Sequence, residues 1–173
     1  MRVSQEIEIT PTSVILNGKP IEVQQTGDKM LVELYRSFVG DYPKFFKMDT
    51  LCRLGFIAAE ILLKNEKADA VVLANRSASI KNDIDYLATI SDGNYYPSPA
   101  LFVYTLPNIV TGEIAIRHHI QGETSFYILD KPEELEPIIR STFSSPLTTL
   151  LAGWVECSAA NEFYAKIQII WNN

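Results

Sequence analysis

The spacing of apolar residues changes period several times along the chain, and each change marks an element. Residues 3–9 and 13–16 are rich in Val and Ile and read as short strands, interrupted by Pro11. Asn17-Gly18 is a strong turn signal because both residues tolerate positive φ, and Ile21 and Val23 continue on a return strand. From Asp28 to about Phe38 the period is helical, with Met30, Leu31, Leu34, Tyr35 and Phe38 recurring at that spacing. Gly40 ends this helix and Tyr42-Pro43 makes a connector. A second helix follows Asp49 and runs to about Lys64. Its stripe of Leu51, Leu54, Ala58, Ile61 and Leu62 is widened by Phe56, Ala59 and Leu63, which implies burial on more than one side.

Residues 70–74 are wholly apolar, the pattern of a central strand covered on both faces. A helix then runs from Ser79 to about Ile90, a loop spans residues 92–99, and Leu101 to Tyr104 reads as a short strand or turn. Thr105 is positioned to cap a helix with Pro107 in its first turn, carrying Ile109, Gly112, Ile116 and Ile120 and ending at Gly122. Phe126 to Leu129 is a strand, and residues 132–143 hold a short helix compromised or shifted by Pro137. Leu147 to Cys157 and Glu162 to Trp171 read as two antiparallel strands; in the last, Phe163, Ala165, Ile167 and Ile169 alternate with Tyr164, Lys166, Gln168 and Ile170. Helices alternating with apolar strands, then a closing hairpin, predict an α/β fold: a mixed sheet with helices on both faces. With no repeat, linker or low-complexity segment, residues 1–173 read as a single domain.

Composition narrows the function. Apolar residues make up 47% of the chain and charged residues 21%, ordinary values for a globular protein. The formal charge of −6 argues against nucleic acid, which needs clustered Lys and Arg. No run of about 18 apolar residues predicts a membrane span, and the acidic start is unlike a secretory signal. Cys52 and Cys157 lack CxxC or Cys/His metal spacing, so the reading is a protein of the reducing cytoplasm with no metal and no cofactor.

Several segments in order resemble one family. Phe45-Phe46-Lys47-Met48-Asp49 with the apolar helix bearing Ala58-Ala59-Glu60, the stretch from Tyr96-Pro97-Ser98-Pro99 through Leu106-Pro107-Asn108 to Gly112 and Ile116, Ile120-Gln121-Gly122-Glu123-Thr124, and Leu150-Leu151-Ala152-Gly153-Trp154-Val155-Glu156 are together similar to the first half of the β-ketoacyl (3-oxoacyl-acyl-carrier-protein) synthases. The resemblance implies a single half of a thiolase-like fold: a mixed five-stranded sheet with helices on both faces. The family pairs two such halves with helices sandwiched between them. It also implies the setting: bacterial fatty-acid, polyketide or aryl-polyene synthesis.

That chemistry requires a thiolate at a buried helix N-terminus to hold the acyl group, and two further groups, His with His or Asn, to promote decarboxylation and stabilise the oxyanion. Aligned from Gly122, the nucleophile slot of the family falls on Lys131, a cation that cannot form a thioester, and no residue within five positions is Cys. The imidazoles of the family come from the absent half. His118 and His119 precede the slot and, being adjacent, point in different directions on a helix. Cys52 and Cys157 read as buried packing thiols, Glu133, Glu134 and Glu136 as a solvated helix start, and Ser77 and Lys81 are one position too far apart for Ser-x-x-Lys. No catalytic residue is therefore assigned.

The expected function is a non-catalytic ketosynthase-like subunit. Asn108, Gly112, Thr124 and Phe126 are the residues expected at a pocket or interface. Its partners would be a second copy, a ketosynthase or chain-length-factor-like subunit, or an acyl carrier protein. A half fold would be expected to leave the apolar face of its central helices wet, and association would cover it. The alternatives are an acyl-thioester-handling transferase completed by another subunit, with Asn108, Phe126 and Lys131 as pocket walls, or a decayed fragment that merely folds.

Overall fold

A computed structural model describes residues 1–90, 93, 96–143 and 146–172. Positions 92, 94 and 95 of the expected loop lie outside the described residues. Seven strands are formed: β1 (Arg2–Thr10), β2 (Ser13–Leu16), β3 (Lys19–Ile21), β4 (Ala70–Asn75), β5 (Thr124–Ile128), β6 (Thr149–Ala159) and β7 (Glu162–Trp171). They make one sheet in the order β3-β2-β1-β7-β6-β4-β5. The expected five strands are therefore seven. The additional pair is the hairpin β2–β3, which Asn17 (φ 52°) and Gly18 (φ 75°) allow to fold back beyond β1.

β4 is flanked in parallel by β5 and β6, while β6–β7, β7–β1, β1–β2 and β2–β3 are antiparallel. All six residues of β4 are buried, as its unbroken apolar run predicts. Gly153 on β6 is dictated by its neighbour, since a Cβ there would run into the backbone of Lys166 and Ile167 on β7. Asp69 ties the starts of β4 and β6 together. Its carboxylate accepts four hydrogen bonds of 2.8–3.0 Å from the N–H and hydroxyl groups of Thr148 and Thr149.

The helices are α1 (Gly27–Phe38), α2 (Thr50–Leu62), α3 (Ile80–Leu87), α4 (Pro99–Val103), α5 (Ile109–His118) and α6 (Leu135–Thr142). α1, α2 and α5 cover the first face of the sheet, where Ile7, Ile9, Leu73, Leu151, Val155 and Ile167 form the main core. Every residue of α2 except Arg53 is buried. Arg53 leaves the helix to donate to the Phe45 and Phe46 carbonyls at 3.2 and 3.0 Å. Asp49 caps α2 by accepting from the Cys52 N–H at 2.9 Å, a contribution of about 1 kcal/mol. On the second face a smaller core of Val72, Leu150, Ala152 and Trp154 meets Leu135 and Ile139 of α6. Helices thus lie on both faces. Beyond α6, β1 and β7 turn Glu6, Glu8, Lys166 and Gln168 to this same face, and it needs no cover there.

Three boundaries differ from the sequence expectation. Leu101 to Tyr104 is mostly helical, because Ser98 accepts from the Leu101 N–H at 3.3 Å and Pro99 takes the first helical position. α5 begins at Ile109, after turns over residues 104–108, rather than at Thr105. It ends where His119 adopts φ 56°, so that the Ile120 N–H reaches the Ala115 carbonyl at 2.9 Å. Gly122 serves a different need, the close passage of the chain past the Asp69 carbonyl.

Candidate functional site

Lys131, the residue expected in the nucleophile slot, stands exposed in extended backbone between β5 and a 3-10 turn, Pro132–Glu134, that leads into α6. Leu135 is the first residue of α6, which puts Pro137 in its first turn, where the missing N–H is harmless. Glu133, Glu134 and Glu136 are all exposed. This helix start is thus solvated, not the buried dipole end that would hold a thiolate.

Neither thiol can substitute. Cys52 and Cys157 are buried free cysteines within the core of the first face, whereas α6 lies on the second. Burial raises the Cys52 thiol well above its usual range, and Asp49 and Glu113 add to the effect. Burial, with Asp49 and Asp28, pushes Cys157 up to about 12. Both stay protonated and unreactive near neutrality.

The histidines are separated, as their adjacency predicts. His119 is exposed at the helix end, while His118 Nε2 lies 2.6 Å from Glu60 Oε1. Arg117 reaches the same Glu60 at 3.3 Å and Asp41 at 2.6 Å, and its guanidinium stands over the Tyr42 ring. Tyr42 in turn donates to Glu113 at 3.0 Å, and Glu113 also pairs with Lys44. Burial and the Glu113 hydrogen bond raise the Tyr42 hydroxyl to about 12. These groups bind α2, α5 and the segment after α1 into one network in which Arg117 serves both Glu60 and Asp41 and Lys44 serves Glu113. The network ties these three parts of the first face together. Among the described residues no cluster of His, Cys, Asp or Glu is arranged to hold a metal, and no helix is long and apolar enough to cross a membrane.

The residues expected at an interface gather around α5 and β5. Asn108 caps α5 through its backbone, accepting from Gly112 at 3.2 Å and from the Thr111 hydroxyl at 2.8 Å. A Cβ on Gly112 would meet nothing within 4 Å, so the bare backbone there answers no packing demand of this chain. One turn on, Ile116 is 65% exposed. β5 lies at one edge of the sheet beside α5. Val71 N–H bonds the Glu123 carbonyl at 2.8 Å and Leu129 N–H the Asn75 carbonyl at 2.8 Å. That register turns the N–H and C=O groups of Thr124, Phe126 and Ile128 away from β4, along the free edge. Thr124 is exposed, Phe126 packs partly into the first-face core, and Ile128 is half exposed. The opposite edge is β3, blunted by Lys19 and Pro20.

Sequence reasoning missed where the exposed apolar surface lies. The central helix α2 is fully covered and α6 presents charge outward. Exposed large apolar residues lie instead on and around α3, α4 and α5 and at the end of β5, with others at Met1, Val3, Phe46 and Tyr96.

No protein-family model and no curated protein matches the chain. Among solved structures the chain is similar to one chain of the complex of the ketosynthase ApeO with its chain length factor ApeC from Xenorhabdus doucetiae, with a TM-score of 0.70 and 11% identity over 99% of this chain and 79% of that one. At that identity the likeness shows the fold, which is thiolase-like.

Proposed function

We propose that this chain is a non-catalytic ketosynthase-like subunit that acts by pairing with a ketosynthase in acyl-chain synthesis. The observation that carries the reading is the slot itself: an exposed Lys131 where an acyl-holding thiolate is required, with both thiols buried on the opposite face of the sheet. The unprotected edge of β5 and the bare, partly apolar side of α5 at Gly112 and Ile116 supply a place for a partner. The fold is shared with a protein solved as a ketosynthase–chain length factor complex, which supports a heteromeric role. A transferase completed by another subunit is the weaker reading, since Phe126 packs toward the first face while Lys131 leads into the helix of the second.

The test is intact mass after incubation with acyl- and malonyl-carrier protein, paired with co-purification alongside a ketosynthase encoded in the same genome. The expected outcome is no acyl adduct and stable co-purification. Thr124→Pro, which removes only a donor on the free edge, should abolish the co-purification. An acyl adduct on the purified chain would overturn the proposal.

A further inference from the structure

On the second face α6 and the row of β7 side chains stand apart and leave a groove over β6. Along β6 this face shows Leu150, Ala152 and Trp154, and the short Ala152 opens a space of about 320 Å³. Leu135 and Ile139 of α6 wall one side, and Tyr164, Lys166 and Gln168 of β7 the other. An apolar bed with a few polar groups at this volume is the form of a small-molecule site. Lys131 takes no part in it.

Trp154 points to an occupant. It is only 8% exposed, yet among the described residues nothing accepts from its indole N–H. That nitrogen is not closed off from solvent, and the side chain meets solvent where it lines the groove. The other tryptophan differs: Trp171 donates to Ser4 at 3.2 Å and to Glu66 at 3.3 Å. A buried indole normally finds an acceptor, and leaving it without one forfeits a hydrogen bond.

The remaining groups narrow what that acceptor belongs to. The Tyr164 hydroxyl also has no partner among the described residues, and burial, with Glu8 beside it, raises its pKa and keeps it a donor. Lys166 faces Glu6 at 3.4 Å, Gln168 donates to the same Glu6, and Glu136 pairs with Arg140 at 2.7 Å. Those charges are answered within the chain. Glu133 has no cation among the described residues, and its exposed carboxylate at the mouth turns anions away. A protonated amine would bring no acceptor for the indole. Past β7 the face continues with Glu6 and Glu8, so no apolar track runs on for a partner helix or strand. We infer that the groove between α6 and β7 binds an uncharged, mostly apolar small molecule through a carbonyl oxygen that accepts from the Trp154 indole. The groove is separate from the β5 edge assigned to the ketosynthase partner, and its occupancy does not depend on that pairing.

The test titrates the full chain with phenylacetamide and follows its two indole N–H signals by proton–nitrogen NMR, assigned with Trp154→Phe. The Trp154 signal should move downfield, as a new hydrogen bond requires, and saturate with a midpoint at or below about 5 mM. The Trp171 signal should stay in place. Phenylacetate, which differs by one charge, should bind at least about tenfold more weakly. Ala152→Leu fills the groove and should abolish binding with an unchanged circular dichroism spectrum. Should that variant fail to fold, the amide and acid titrations of the wild type decide alone. A Trp154 signal that stays put at about 20 mM amide, an equal shift at Trp171, an acid bound as tightly as the amide, or undiminished binding by folded Ala152→Leu would each overturn the site. None of these outcomes bears on the acyl-adduct test of the slot.

Discussion

On the side of β4, β5 and β6 both faces of the sheet carry helices, the strands are parallel to one another, and β4 at their centre is wholly buried. On the side of β1, β2, β3 and β7 the strands are antiparallel, and only the first face is covered. The second face there shows Glu6 paired with Lys166 and bonded by Gln168. The contrast teaches where a second lobe is needed. A polar sheet face and a helix with charges outward do not demand one. The unpaired backbone and the exposed apolar side chains lie instead on an edge strand and on the outward face of α3.

The largest effect should come from the doubly covered side. Leu73→Ala removes a fully buried side chain from β4 and should cost about 3 kcal/mol by urea denaturation; a loss below about 1 kcal/mol would mean that this side is less tightly packed than described. Next is Asp49, the cap of α2 above the first face. Burial raises its carboxyl from 3.8 to about 6, against the Cys52 hydrogen bond, so the folded state holds its proton more tightly than the unfolded chain. Stability should therefore fall by up to about 2 kcal/mol as pH rises from about 4 to about 6. Asp49→Asn keeps an oxygen acceptor for the cap and should flatten that window; an unchanged slope would assign it to other groups. Smaller still, Ala78→Gly should stabilise the protein by about 0.5–1 kcal/mol. Ala78 sits at φ 50°, clamped by Asn75, which accepts from its N–H and donates to its carbonyl. A lower melting temperature would count against strain there. Least affected should be Lys166→Ala on the open face, within about 0.5 kcal/mol. A larger loss would mean that this face is covered in solution.

Much of this was legible in the order of residues. The apolar run of β4, the broad stripe of α2, the Asn17-Gly18 turn and the alternation of β7 each have one physical reading, and each element formed near its expected place. The resemblance suggested five strands because a family pattern is silent about an added hairpin, although the turn that builds it was plain. The boundaries of α5 were misplaced because Pro107 and Gly122 are valid helix signals that here serve a turn and a close chain passage. The site was legible only by subtraction. Sequence showed that sulfur was missing at Lys131, but not that Cys52 and Cys157 sit across the sheet from it. The helical period of Ile80, Ile84 and Leu87 was visible too, yet all three are exposed. A period states that residues share a side, not whether that side faces in or out. It was the buried Asn82, donating to the Leu101 carbonyl, and Ser79, donating to the Thr105 carbonyl, that decided it.

The blunted strand at the far margin has a consequence for growth. Pro20 lacks a donor and Lys19 carries charge, so a neighbouring chain finds no template there. Joining at Thr124–Ile128 uses up the one margin able to accept another backbone, so lateral addition halts after a single step. Ribbons built by endless stacking of this fold are closed off, and any complex formed that way stays finite.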